Sequence, residues 1–356
     1  MSLRCGLTTG TCAAAAAKAA AIVLAGGDAP HEVEVSLPDG QVVHVAVHDA
    51  AVVVPGGAAR AAVRKDAGDD PDATDGLEIV ATVSWTQGPA IRFAAGQGVG
   101  TVTKPGLSIP PGEPAINPSP RRMIAAAVRQ VTERPLCVEI AIPGGRKVAA
   151  RTFNPRLGIE GGLSVLGTTG IVRPYCRRAL HDALACALDV AAACGVTALA
   201  LAPGNIGARA AGKYFFLRSE QLVEVGNAWN FVLDRLGKRF QSLLIVGHPG
   251  KLAKLAAGQW DTHSARSSPP TTMLATLHVE ILGRPAAESP TVEGVFAALP
   301  LEERSALADA LASRVCTAVS GRLPNTLTVA AFLVDMAGKR LGAAGNLSPW
   351  QELQAS

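Results

Sequence analysis

Apolar and polar residues alternate over residues 32–54. Val33, Val35 and Leu37 precede Pro38-Asp39-Gly40, and Val43, Val45 and Val47 follow it. A period of two buries one face of a strand, and the turn residues between the two runs predict a hairpin. Upstream, residues 13–21 are almost all alanine, the strongest helix former, and they follow Thr8-Thr9-Gly10-Thr11-Cys12. A threonine there can cap the helix by accepting from its free N–H groups. The polar run 60–75 reads as an exposed loop. Residues 77–85 and 90–94 read as a strand pair around Gln87-Gly88-Pro89, and 137–142 with 147–150 as a second hairpin around Pro143-Gly144-Gly145. Between them a helix is predicted from Pro120 or Arg121 to about Thr132, with Ser119 as its cap. Hairpins with two helices make the first half α+β.

The second half follows a different rhythm. Apolar runs at 163–166, 196–202 and 243–246 each end in a glycine-containing loop: Gly167-Thr168-Thr169-Gly170, Pro203-Gly204-Asn205-Ile206-Gly207 and Gly247-His248-Pro249-Gly250. Helical patterns follow, with Leu180, Leu184 and Leu188 spaced by four, then Trp229, Val232, Leu233 and Leu236, then residues 251–257. Strands alternating with helices imply a mainly parallel sheet and a Rossmann-like α/β domain. Right-handed crossovers would put all three loops at the carboxyl edge of one sheet, where open α/β sheets bind ligands. The expected organisation is an α+β domain over 1–155 and the Rossmann-like domain over 156–356, with the C-terminal part a candidate to pack back on the first. Residues 301–319 read as helix, and 326–334 are ambiguous between helix and strand.

Composition narrows the function classes. At 356 residues the chain exceeds what one core usually serves. With 48% apolar and 17% charged residues it is no disordered chain, and its 37 glycines and 24 prolines follow no triplet repeat, which excludes collagen. A net charge of +4 and 4% aromatics give neither the charge nor the stacking platforms of a nucleic-acid binder. The seven cysteines, an odd number with no C-x-x-C, read as reduced thiols of a cytoplasmic protein rather than a disulfide frame or zinc site. The most membrane-like stretch, 13–27, is short and interrupted by Lys18. Arg4 ahead of it invites a secretory-leader reading, but Lys18 would then sit inside the apolar region.

Several constellations carry candidate chemistry. Gly96-x-Gly98-x-Gly100 opens no helix, because Thr101-Val102-Thr103 and Pro105 follow, so it reads as a turn or a close backbone approach. Arg121 and Arg122 stand at a predicted helix start, where positive charge opposes the helix dipole and hints at an anionic ligand. Arg173, Arg177 and Arg178 repeat the anomaly. With Lys104, Arg151, Arg156, Arg209, Lys213, Lys251 and Lys254 they could line a basic cleft for a polycarboxylate, or simply face water. His44 and His48 read as a solvated strand face rather than a metal pair. His248 sits inside the third glycine loop, where a proton shuttle or ligand contact would sit. Asp261-Thr262-His263-Ser264 is too closely spaced for a catalytic triad and lacks a G-x-S-x-G elbow. Glu113 is the other candidate carboxylate, and no Walker A motif supports ATP chemistry.

Seven segments carry a resemblance. Gly6-Leu7-Thr8-Thr9-Gly10-Thr11-Cys12-Ala13 with the alanines to Lys18 is similar to the opening of the CbiD family, the cobalt-precorrin-5B C-1 methyltransferases. So are Gly98-Val99-Gly100-Thr101-Val102-Thr103-Lys104-Pro105-Gly106-Leu107, Gly112-Glu113-Pro114-Ala115-Ile116-Asn117-Pro118 and Gly167-Thr168-Thr169-Gly170-Ile171-Val172. Gly247-His248 with Gly250-Lys251-Leu252, then Lys254-Leu255-Ala256-Ala257-Gly258 and Thr262-His263-Ser264, complete the set in order. The resemblance implies methyl transfer from S-adenosylmethionine to a ring carbon of cobalt-precorrin-5B or a related carboxylate-rich tetrapyrrole in cobalamin biosynthesis. No nucleic acid, membrane or protein-held metal is implied, and a homo-oligomer is left open. Backbone amides of Gly167, Thr168, Thr169, Gly170, Gly204, Asn205, Gly207, Gly247 and Gly250 are then expected at the methyl donor. Thr8, Thr9, Thr11, Lys104, Asn117, Arg121, Arg122 and Lys251 are expected at the acceptor, with His248, His263 or Glu113 as a weak base. Arg173-Pro174-Tyr175-Cys176-Arg177-Arg178 departs from the acidic stretch the family has there. A tetrapyrrole carrier that had lost methyl transfer is the alternative, and it would not bind the donor.

Overall fold

The computed structural model describes residues 3–88, 91–324 and 326–350, and the chain divides into two compact units, Met1–Ala179 and Leu180–Ser356. In chain order the first unit carries β1 (Gly6–Leu7), α1 (Thr9–Leu24), β2 (Glu32–Ser36), β3 (Val42–Ala46), β4 (Asp49–Val54), β5 (Ala58–Arg64), β6 (Glu78–Trp85) and β7 (Ile91–Ala95). Then come β8 (Thr101–Val102), α2 (Pro118–Arg129), β9 (Leu136–Ala141), α3 (Gly145–Ala149), β10 (Ile159–Glu160) and β11 (Ile171–Val172).

The main sheet of this unit has the order β4-β5-β6-β9-β7, antiparallel except for the β7–β9 pair. Alternate residues, including Ala61, Val63, Ile79, Ala81, Val83, Leu136, Val138 and Ile140, are buried in one core with α1 and α2. The first helix is buried on nearly every side because alanine lets neighbours approach from all directions; from Thr9 to Ala17 no residue is exposed. The expected hairpin is present over residues 32–46 as β2 paired with β3, while residues 49–54 form β4 of the main sheet.

Four expectations for this half change. Residues 60–64 belong to strand β5, not a loop: Ala59, Ala61 and Val63 alternate into the core, but alanine beside Arg60 and Arg64 hides the period. Strands β6 and β7 do not pair with one another, since β9 lies between them. The parallel β7–β9 pair needs a long crossover, and α2 lies on it; Pro89 and Ala90 of the proposed turn fall outside the described residues. Residues 145–149 form the short helix α3 rather than a strand. Gly144 enters it at φ +80, and a Cβ on Gly145 would lie 2.5 Å from the Gly98 carbonyl oxygen. Finally, the segment 156–179 falls in the first unit, where β10 pairs with β8 and β11 with β1.

An ion pair is buried beneath this unit's surface. Lys65, just after β5, is 1% exposed and meets Asp72 at 2.8 Å, and Asp72 also accepts from the Thr74 backbone N–H and hydroxyl.

The second unit holds most of α4 (Arg177–Ala193), then β12 (Ala198–Ala202), α5 (Asn205–Tyr214), β13 (Leu222–Glu224), α6 (Trp229–Leu236), β14 (Ser242–Gly247) and α7 (Pro249–Ala256). It ends with α8 (Pro270–Leu282), α9 (Val292–Ala297), α10 (Leu301–Ser320), β15 (Thr328–Val334) and β16 (Arg340–Ala344). Its sheet has the order β13-β12-β14-β15-β16, parallel through β15 with β16 antiparallel at the edge. Helices cover both faces, as expected for a Rossmann-like domain. Leu199, Leu201, Leu243, Ile245, Val329, Ala331 and Leu333 face a core shared with Leu188, Trp229, Leu252, Leu274 and Leu311. The intervening Ala200, Leu244, Val246, Ala330, Phe332 and Val334 face Ala210, Ala211, Phe215 and Trp350. Strand β15 resolves the ambiguous stretch at 326–334, and together with β16 it keeps the C-terminal part in the second unit's sheet.

No described helix is long and apolar enough to cross a membrane.

Candidate functional site

The order of the parallel strands creates one reversal of winding. From β12 the chain passes through α5 to β13 on one side, then returns through α6 to β14 on the other side of β12. Where the direction of winding reverses, the loops after the two central strands diverge, and ligands bind in the gap outside the strand ends. Here the reversal falls between Pro203-Gly204, the turn from β12 into α5, and His248, the turn from β14 into α7. Glycine lets these loops touch: a Cβ on Gly207 would lie 2.2 Å from the Val246 carbonyl oxygen, and one on Gly247 would lie 2.8 Å from Pro203 Cγ. Gly204 differs, because nothing lies within 4 Å of a Cβ built on it. Gly204 also begins α5 without a side-chain cap, so the first amides of that helix, at Asn205, Ile206 and Gly207, face the crevice end. Two of the three expected glycine loops thus share this edge.

A polar cluster lies at the same edge. Asn227 follows β13, and its Oδ1 accepts from Lys251 Nζ at 2.8 Å and from the Thr262 hydroxyl at 3.0 Å. Lys254, one turn along α7 and 6% exposed, donates to the Thr262 carbonyl at 3.1 Å and to Ser267 Oγ at 2.7 Å. Burial, and after it the charge of Lys254, lowers the pKa of Lys251. Asn227 carries no signal in the sequence, because the three-residue strand β13 before it leaves almost no periodic trace.

His248 caps α7. Its Nδ1 accepts the Gly250 N–H at 3.0 Å, which places the ring proton on Nε2, and Nε2 donates to Glu293 Oε2 at 2.8 Å. Both ring nitrogens are committed, so the geometry gives this histidine a structural role and leaves no free lone pair for a base. His248→Asn should therefore keep the cap and most of the turnover, whereas His248→Ala should cost about 1 kcal/mol of stability in denaturant unfolding. A loss of turnover in His248→Asn with the fold intact would contradict the capping role. His263 is exposed; its Nδ1 accepts from the Ala265 N–H at 3.3 Å.

The third expected loop, 167–170, belongs to the first unit. The run before it makes single parallel bridges, Val99 to Leu163 and Ile116 to Val165, and is no strand of the second unit's sheet. The loop is clasped to the start of α1. Thr8 caps that helix and its N–H donates to the Gly170 carbonyl, Thr11 Oγ1 donates to the same carbonyl at 2.6 Å, and Thr9 Oγ1 lies 3.1 Å from the Leu166 carbonyl. Gly167, at φ +144, has no room for a side chain, since a Cβ would lie 2.2 Å from Thr8 Oγ1. Thr8, Thr9 and Thr11 are thus buried and hold the loop, while Thr168 and Thr169 are exposed on it.

The other first-unit candidates divide in the same way. Arg121 is committed to its own loop: Nε donates to the Ile116 carbonyl, and Nη2 reaches Glu113 Oε2 and the Pro114 carbonyl at 3.1 Å each. Glu113 is thereby an exposed ion-pair partner. Asn117 begins α2, with Pro118 at its first position, and its side chain makes no cap hydrogen bond. Arg122 is exposed on the same helix. Lys104 is half-buried beside Gly158. The G-x-G-x-G run is a backbone approach: Gly98, at φ +79, would place a Cβ 2.0 Å from the Ile142 carbonyl oxygen. The seven cysteines are free, and burial pushes the Cys12 thiol up to about 12.

Comparison with known proteins adds the chemistry. Residues 1–174 match the family model CbiD and residues 261–345 match CbiD, C-terminal domain. The cobalt-precorrin-5B C(1)-methyltransferase of Syntrophotalea carbinolica is 52% identical over 350 residues, 98% of this chain and 99% of its own length. That of Ralstonia nicotianae is 41% identical over 96% of this chain and 94% of its own. A crystal structure of a cobalamin biosynthesis protein (cbiD) from Archaeoglobus fulgidus is 34% identical, with a TM-score of 0.40, covering 74% of this chain and 83% of that one.

Proposed function

The chain belongs to the CbiD family, and we propose on that footing that it transfers a methyl group from S-adenosylmethionine to ring carbon C-1 of cobalt-precorrin-5B, giving cobalt-precorrin-6A. It is an enzyme, a C-methyltransferase of cobalamin biosynthesis. The observation that carries the donor assignment is the open space at Gly204. That space lies at the winding reversal of the sheet, beside the unpaired first amides of α5.

These features fit a nucleoside carrying an amino-acid chain. Backbone N–H groups of Asn205 and Gly207 would hold its polar groups, and the glycine at 204 would let the backbone approach it closely. When bound, S-adenosylmethionine supplies a methyl group already activated by its sulfonium charge. The protein's part is to align the donor with the electron-rich ring carbon and to exclude water, for which orientation is the main source of acceleration. Electrostatics adds to it: Lys251 is a half-buried cation at the same edge and would hold a carboxylate. In the first unit, Arg121 and the threonines at the start of α1 are committed to the fold. No strong base is needed for attack on the methyl, and the committed ring of His248 agrees with that. The cobalt belongs to the substrate. Seven free thiols suit a reducing compartment, the cytoplasm.

Gly204→Ala tests the donor site. The fold has room for the added methyl, so the midpoint of thermal unfolding should stay near that of the wild type. Binding of S-adenosylhomocysteine, followed by calorimetry, should weaken about tenfold because the methyl occupies ligand space. Unchanged binding would remove Gly204 from the donor site.

A further inference from the structure

The Lys251–Lys254 pair is out of balance with its surroundings. Lys254 is 6% exposed, yet both groups it donates to are neutral, the Thr262 carbonyl and Ser267 Oγ. Lys251, on the adjacent turn of α7, donates to the neutral Asn227 Oδ1. Neither lysine has a carboxylate partner among the described ion pairs, in which Glu293 meets His248 and Asp261 meets Arg266 at 2.8 Å. Two ammonium groups one turn apart, one buried and one half-buried, repel one another and lose hydration. A fold keeps such a pair where a partner of opposite charge arrives from outside. An ammonium has three donors, so Lys251 retains two beyond its bond to Asn227.

We propose that Lys251 and Lys254 form a carboxylate subsite at the crevice edge: Lys251 contacts the ligand's carboxylate, and Lys254 is a positioning residue. Lys254 acts through its anchors. By binding Thr262 and Ser267 it fastens residues 262–267 against α7. The Thr262 hydroxyl in turn shares Asn227 Oδ1 with Lys251, which fixes the direction of the Lys251 ammonium. An arriving carboxylate reverses the penalty that burial and Lys254 place on the charge of Lys251. The inference rests on the methyltransferase reading. The carboxylate comes either from the amino-acid end of the donor or from a side chain of the tetrapyrrole.

Calorimetry on the full chain separates these sources, with three probes: S-adenosylhomocysteine, 5′-methylthioadenosine (which lacks the amino-acid carboxylate) and uroporphyrin III, a polycarboxylate tetrapyrrole. Lys254→Met removes the charge and keeps the length. If the donor supplies the carboxylate, this variant binds S-adenosylhomocysteine about tenfold more weakly and 5′-methylthioadenosine as before. If the acceptor supplies it, only uroporphyrin binding falls. Lys254→Arg should restore part of the loss in either case. Equal weakening of both nucleosides, or no change with any probe, overturns the subsite. If Lys254→Met does not fold, Ser267→Ala decides, since it removes one anchor and keeps the charge. A several-fold loss confined to the carboxylate probe supports the proposal, and unchanged binding sinks it. A wild-type chain that binds none of the three contradicts the methyltransferase reading itself, and the subsite falls with it.

Discussion

Asp72→Asn will lower the stability of the first unit by about 3–5 kcal/mol, measured as a shift of the urea midpoint, because it leaves the Lys65 ammonium buried without a counter-charge. Lys65 is 1% exposed and has Asp72 at 2.8 Å as its carboxylate partner. Burial alone would raise the pKa of Asp72, but the hydrogen bonds from Lys65 and Thr74, with the Lys65 charge, outweigh it and hold the carboxyl below its ordinary value. The sign for pH follows. The stabilisation is present in full above the ordinary aspartate range and is lost as pH falls through the lowered folded-state value. The variant should therefore lose most of this acid-side slope. The double variant Lys65→Met, Asp72→Asn should recover much of the lost stability, since removing both charges removes the unpaired one. A single variant as stable as the wild type would show that the pair carries no such weight.

Gly207→Ala should disable the enzyme while leaving a recognisable fold. The new Cβ would lie 2.2 Å from the Val246 carbonyl oxygen and 3.2 Å from Ala202 Cβ. The first obstacle is strand backbone, so α5 must move away from β14. Overpacking of this kind costs about 1–3 kcal/mol. The larger effect is on geometry, because the displaced turn carries the amides assigned to the donor. A misplacement of that order costs about a hundredfold in turnover. Retained turnover, in an assay with methyl-labelled donor and the cobalt-bound acceptor, would remove α5 from the donor site.

The parallel sheet was legible because its strands β12 and β14 are continuous apolar runs ending in glycine-containing turns; the helix that directly follows β12, α5, was not, since glycines and alanines leave it little apolar pattern. Strand β13 was not, since three residues show no period. The Gly167–Gly170 loop was misplaced into that sheet because Leu163–Leu166 has the same local signature as a strand, and local sequence does not tell which unit a short run joins. Strand β5 was hidden by alanines, which bury as well as valine yet barely contrast with Arg60 and Arg64. At the site, the glycines of the crevice could be read from sequence. The roles of Arg121 and His248 could not, because each depends on partners chosen in three dimensions: the carbonyl of Ile116 for one, Gly250 and Glu293 for the other.

The alanine helix α1 has a consequence for how its motif works. Its middle, alanine from 13 to 21 except for Lys18, looks alike from every azimuth, so packing there cannot choose how far the helix is rotated about its axis. That choice falls to its unlike residues: the threonine hydroxyls at one end, Ile22, Val23 and Leu24 at the other, and Lys18 between them, which grips the Glu34 carbonyl at 2.8 Å and Gln130 Oε1 at 2.6 Å. The threonines near the N-terminus act as an indexing key for the end of the helix that meets the Gly167–Gly170 loop.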